Sequence, residues 1–169
     1  MSLVPALVGS VLLATLSTIA DYIWFLDIPG HQVLSGSIHG ASLFAALGAY
    51  LGWRKGKLLI GLLGGLASGL VAALSFYALA PFGGYNMMLV SWLILWVMLA
   101  GLQTYLDGRF DVARTLGRGL ITAIVAALGF GVVLFQLYRG WPPETFSVFE
   151  HFVAWSMAYL PGLYVLLKR

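Results

Sequence analysis

The sequence predicts an all-α integral membrane protein, a compact bundle of six transmembrane helices joined by short loops. Three observations carry this expectation. The 169 residues are 61% hydrophobic and 9% charged, whereas a soluble domain carries about 25% charged residues. Mean hydropathy is +0.96, so the chain cannot supply the polar shell that a packed soluble core needs. Six stretches are apolar over roughly the 20 residues that a helix needs to cross ~30 Å of hydrocarbon. Finally, lysine and arginine alternate between the loops as the positive-inside rule requires.

The first predicted span is 3–20. No basic residue precedes it, and its small residues run into Asp21 and Trp24. That is a poor cleavage context, so the segment reads as a retained span and not as a signal peptide. Spans two and three, 33–53 and 58–79, contain GSIHG (36–40), GAYLG (48–52) and GLLGGLASG (61–69). Small residues at spacing four let helix backbones approach closely in lipid. The pattern is common in membrane helices and argues for packing, not for function. Pro81 ends the third span before the turn PFGGYN.

The fourth span, 87–106, runs from Asn86 to Asp107; the last two are 120–137 and 147–167. Within the sixth, Pro161 removes a helix hydrogen bond to Met157 and predicts a kink. Lipid offers the backbone no hydrogen bonds, so each span should be helical. Short loops make consecutive helices antiparallel neighbours within a single domain, residues 1–169.

Loop 54–57 (RKGK) holds three basic residues, loop 107–118 holds Arg109, Arg114 and Arg118, and the chain ends on Lys168 and Arg169. Loops 21–32 and 80–86 hold none, and loop 138–146 holds only Arg139. Both termini are therefore expected in the cytoplasm, with eight of the nine basic residues inside. Because these residues sit at segment ends, the net charge of +3 is a topology signal and no nucleic-acid partner is expected. The absence of cysteine removes disulfides, thiolate metal sites and thiol nucleophiles. A compact chain without hydrophilic tails fits a prokaryotic inner membrane.

Polar residues inside spans are few: Ser35, Ser37 and His39 in the second, Ser68 and Ser75 in the third, and Ser91 and Gln103 in the fourth. The middle of the bundle offers only hydroxyls and small side chains. An ion or proton needs a chain of ionisable groups, whereas a lipid tail needs none. The expected ligand is therefore a lipid in an apolar cavity with a few polar groups at one end. Ser75, Ser91, Trp92, Trp96, Trp155 and the bend at Pro161 are the candidate lining. Core packing or contact with lipid is the competing reading of the tryptophans.

Asp21, Asp27, His31, His39, Glu144, Glu150 and His151 map to the outer side. Imidazoles and carboxylates serve as metal ligands and general bases. No HExxH, HxxxH or HxxE spacing is present, and Glu150 and His151 project about 100° apart on a helix. No metal or other cofactor is expected, and these residues read as interfacial. Tyr22, Trp24, Phe25, Phe82, Tyr85 and Trp141 form an aromatic belt at the same boundary. The alternatives are a small metal-dependent lipid hydrolase built on this outer cluster, or a transporter subunit.

Asp107 stands at the inner end of the fourth span. An acid at a helix C-terminus is unfavourable by about 0.3–1 kcal/mol, and acids contribute little to topology. Asp107 therefore predicts a contact outside its own loop, either with loop 54–57 or with a partner.

From about residue 70 to 165 the chain resembles the Insig (insulin-induced gene) proteins. The resemblance rests on LQTYLDGRF (102–110) with Asp107, on LGRGLITAIVAAL (116–128), on FQLYRGW with Phe135 and Tyr138, and on WPPETF (141–146). The chain departs from that family in lacking its cysteines, its hydrophilic tails and the paired aromatics before the acid. The resemblance implies six spans, cytoplasmic termini and a sterol-like or diacylglycerol-like ligand within the bundle. It also implies that Asp107 contacts a membrane protein partner. The functional expectation is a non-catalytic lipid-binding sensor or regulator.

Overall fold

The computed structural model describes residues 3–27, 32–108, 111–136 and 146–168. Among them are six α-helices: α1 (Leu3–Asp27), α2 (Gln32–Trp53), α3 (Leu58–Gly83), α4 (Met87–Leu106), α5 (Val112–Gln136) and α6 (Val148–Leu167). A single 3-10 turn, Gly84–Asn86, joins α3 to α4, and no strand occurs among the described residues. Three segments are long and apolar enough to cross a membrane: Leu3–Ile23, Val33–Trp53 and Leu58–Leu106. The last is 49 residues long and contains both α3 and α4. The apolar part of α5, Thr115–Gly131, is shorter.

The surface is the inverse of a soluble bundle. Val4, Leu34, Leu59, Leu128 and Phe149 are exposed, while Ser10, Ser17, Asp21, Thr122 and His151 are buried. Such a surface is stable against hydrocarbon, and the interior is where polar groups must find partners.

From α2 to α6 each helix packs on its neighbour in sequence, as short loops dictate. The first helix differs: α1 lies chiefly against α6 and touches α2 only lightly. Side-chain hydrogen bonds account for this placement. Ser10 Oγ donates to Ser156 O (2.9 Å), and Ser17 Oγ meets Tyr159 OH (2.8 Å). Trp155 Nε1 donates to Asp21 Oδ2 (2.7 Å). The helices thus form a ring whose thinnest seam is between α1 and α2.

The seam between α2 and α3 is the opposite extreme. A Cβ added at Gly48 would strike Gly61 O and Gly65 Cα, and one at Gly65 would strike Phe44 O and Gly48 Cα. At Gly52 it would meet Lys57 O at 2.5 Å. The repeated small residues of the sequence therefore bring two backbones into contact. Two other helices approach as closely at one point, where Gly129 of α5 lies against Met157 O of α6.

Several helix ends lie beyond the apolar stretches. The first helix continues through Asp21 to Asp27, and α5 begins at Val112 instead of 120. Arg118 is therefore helical, and the connection after α4 shrinks accordingly. Hydropathy stops at the first charged side chain, but the backbone hydrogen bonds that define a helix do not; Thr115 N already donates to Asp111 O (2.9 Å). The third helix runs past Pro81 to Gly83, and α6 runs through Pro161. Ser147 caps α6 by accepting from Glu150 N (3.4 Å), half of a capping box.

Candidate functional site

Two helical faces build the site. On α1, Ser10, Ser17 and Asp21 are spaced seven and four apart and so share one stripe. On α6, His151, Trp155 and Tyr159 recur every four residues and form the facing stripe. Asp21 is 1% exposed and Tyr159 is fully buried. The Asp21 carboxylate accepts from Trp155 Nε1, and His151 Nε2 lies 3.9 Å from the same oxygen. The other ring nitrogen, His151 Nδ1, is 3.0 Å from Ser147 O. Phe146 covers the imidazole with ring centroids 4.0 Å apart and meets Tyr22 at 5.3 Å.

Asp21 and His39 line a partly open cavity of about 130 Å³, together with Phe44, Trp92, Trp155 and Tyr159. The wall is a connected set of rings. Trp92 stacks on Phe130 at 4.3 Å and 10°, and Trp155 stacks on Tyr159 at 5.6 Å. Phe44 meets Trp92 edge to face at 6.3 Å. Trp92 Nε1 is buried and has no acceptor among the described residues. A buried donor left unmatched costs about 1–3 kcal/mol.

A second, larger space of about 470 Å³ lies along the thin seam, walled by Leu16, Ile19 and Ile23 of α1 and by Ser35, Ile38 and Ser42 of α2. His39 and Leu43 line both spaces. The groove is apolar except for its serines and His39, and Leu16, Ile19, Ile23 and Ile38 are all exposed at its rim. Among the described residues no lysine or arginine lines either space.

Of the six expected lining residues, Ser91, Trp92 and Trp155 line the inner cavity. The Ser91 hydroxyl also donates to Met87 O (3.2 Å). Ser75, Trp96 and Pro161 line neither space. Ser75 turns back on its own helix and donates to Val71 O (2.7 Å). Trp96 is wholly buried, and Gly162 makes room for it: a Cβ there would meet the indole at 2.7 Å. Pro161 is partly buried within α6.

The sequence reading placed Asp21 and His39 in the interfacial set, whereas both belong to the cavity wall. Phe44, Phe130 and Tyr159 were not singled out at all. The four-residue spacing of His151, Trp155 and Tyr159 was the available signal, because it puts three aromatic rings on one helix face. Of the other outer residues, Glu150 is exposed. His31, Glu144, Tyr138 and Trp141 lie outside the described residues, as do the side chains of Asp27 and Phe135. Among the described residues no three His, Asp or Glu side chains converge as a metal site would need.

Asp107 lies at the opposite end of the bundle. Its Oδ1 pairs with Lys55 Nζ in the α2–α3 turn (2.5 Å) and accepts from Gln103 Nε2 (3.1 Å). Lys57 Nζ donates to Leu106 O (3.1 Å) beside it. Burial pushes the Asp107 carboxyl up. The hydrogen bonds from Lys55 and Gln103, and the charges of Lys55 and Arg118, outweigh that and hold it below the usual carboxylate range. The contact outside its own loop is thus with turn 54–57. No protein-family model matches the chain, and no curated protein or solved structure matches it either.

Proposed function

We propose that this chain is a bundle of six membrane-crossing helices that binds an amphipathic lipid laterally, without catalysing a reaction. One observation carries the binding reading: the apolar groove at the α1–α2 seam shares His39 and Leu43 with the aromatic cavity that contains Asp21. A tail lying in the groove would have its polar end at the cavity, the usual division of labour in a small-molecule site. Trp92 Nε1 favours an oxygen on that polar end.

Support for six crossings comes from the sorting of charge. Asp107, Lys55 and Lys57 cluster at one end of the bundle, where Arg118 Nε also reaches Val165 O (3.5 Å). Asp21 and His151 lie toward the other, under the rings of Tyr22, Phe25 and Phe146. The Insig resemblance adds a sterol-like or diacylglycerol-like ligand class and a membrane partner at Asp107. Such a partner would have to share or displace Lys55.

The test is mass spectrometry of lipids that copurify with the wild type and with Ser42→Trp, which fills the groove from an exposed position. The wild type should retain an amphipath that the variant loses, with little change in thermal midpoint. Equal recovery from a folded variant overturns the reading.

A further inference from the structure

We infer that the polar end of the bound amphipath is the uncharged, flat head of a long-tailed quinone, with a ring carbonyl accepting from Trp92 Nε1. The inference rests on the lipid-binding reading and names its ligand class. It stands on one unmatched donor, on the rings around it, and on the apolar groove that shares the cavity's wall.

Trp92 lines the cavity at 6% exposure, and its Nε1 is buried with no acceptor among the described residues. The other polar groups of that wall are engaged. Trp155 Nε1 donates to Asp21 Oδ2 (2.7 Å), the Ser91 hydroxyl donates to Met87 O (3.2 Å), and Tyr159 OH meets Ser17 Oγ (2.8 Å). Asp21, His39 and Tyr77 have further interactions as well. One unmatched donor suits a head that needs a single donor and brings none of its own. A carbonyl oxygen meets that condition, being an acceptor only. A hydroxyl would carry in an O–H that must also be matched once buried. A carboxylate or phosphate would need several donors to offset the cost of burying its charge.

The rings select the shape of the head. Phe44, Phe76, Tyr77, Trp92, Trp155 and Tyr159 line the cavity from α2, α3, α4 and α6. Aromatic faces carry negative potential, and offset stacking is among their preferred contacts. A quinone ring is flat, and its two carbonyls draw electron density out of it. It therefore gains on such faces what an aliphatic ketone or ester does not. The tail then passes His39 and Leu43, which line both spaces, and lies in the α1–α2 groove among Leu16, Ile19 and Ile38.

The experiment titrates the purified protein, in a neutral maltoside detergent, with decylubiquinone and with the same compound reduced to its quinol. Native mass spectrometry reads the bound fraction. The two probes share tail and substituents and differ in whether the ring oxygens are carbonyls or hydroxyls. The quinone is expected to bind about tenfold more tightly. Trp92→Phe keeps a ring but removes the donor, and should bring the quinone-to-quinol ratio close to one. Should that variant not fold, Phe76→Leu provides the second arm, because losing one ring should weaken quinone binding several-fold. Equal binding of the two forms to the wild type, or an unchanged ratio in folded Trp92→Phe, overturns the quinone inference. If neither form binds while an amphipath still copurifies with the wild type and is lost from Ser42→Trp, the quinone inference falls and the lipid reading stands. If neither binds and no amphipath copurifies, both fall.

Discussion

Asp107 terminates α4 where the helix end carries partial negative charge, so its position needs compensation from elsewhere. Lys55 and Gln103 supply it. Because the pair is about a quarter exposed, its worth is that of a surface ion pair, about 0–1 kcal/mol. Asp107→Ala should lower stability in detergent by that amount, and Lys55→Ala plus Asp107→Ala should cost less than the two changes summed. The pH dependence has a definite sign. The folded carboxyl is held below its unfolded value, so near pH 4 the unfolded chain binds more protons, and stability rises with pH through that window. The contribution is fully present above the ordinary carboxylate range and is lost as pH falls through the folded value; Asp107→Asn should lack it. Thermal midpoints between pH 3 and about 6 would check this. The sequence could raise the question of Asp107 and name turn 54–57 as one answer. It could not choose, because Lys55 and Asp107 are brought together only when α2, α3 and α4 stand side by side.

At the scale of helices, the α2–α3 seam divides glycines into two kinds. Gly65 has the backbone of α2 where a side chain would go, whereas Gly117 of α5 has nothing among the described residues within 4 Å of where a Cβ would stand. Gly65→Val should destabilise the bundle by at least the ~1–3 kcal/mol of an overpacked core. Gly117→Ala should be neutral or stabilise by up to about 1 kcal/mol through the unfolded chain. Unfolding of the two variants in the same detergent distinguishes them, and equal effects would mean that the seam is not close-packed. The GxxxG spacing made this seam legible in advance. The seam between α1 and α6 was not, because its polar pairs join residues more than a hundred positions apart, 134 in the case of Asp21 and Trp155. The same limitation hid the cavity: Ser91, Trp92 and Trp155 could be picked out as polar or aromatic residues within spans. That Ser75 bonds back to Val71 while Asp21 faces inward depends on helix rotation, which composition does not encode.

For the whole molecule, the arrangement of charge predicts one orientation. If all six helices cross, both termini lie with Lys55, Lys57 and Arg118 on the cytoplasmic side, and reporter fusions at either end should both read inside. A C-terminal reporter reading outside would remove one crossing. The suspects would then be α5, whose apolar part is shorter, and α6, which is not among the segments long and apolar enough to cross. Helical class was legible because lipid imposes it on any apolar run of sufficient length; three segments meet that length and hydropathy among the described residues. The ring order was less so, since α1 packs chiefly against α6 although only residues 28–31 separate it from α2.

That choice has a bearing on biosynthesis. A chain emerging from the ribosome presents α1 first, while the groups that bond with Ser10, Ser17 and Asp21 belong to α6. For most of translation the leading helix therefore carries a buried-type acid whose indole donor has not yet been made. A glycine-matched pair such as α2 and α3 can associate as soon as both have been inserted, but the ring closes only when the last helix arrives. Any product stopped short of residue 148 leaves Ser17 without Tyr159 and Asp21 without Trp155. The arrival of α6 thus supplies the partners that the polar stripe of α1 is built to meet.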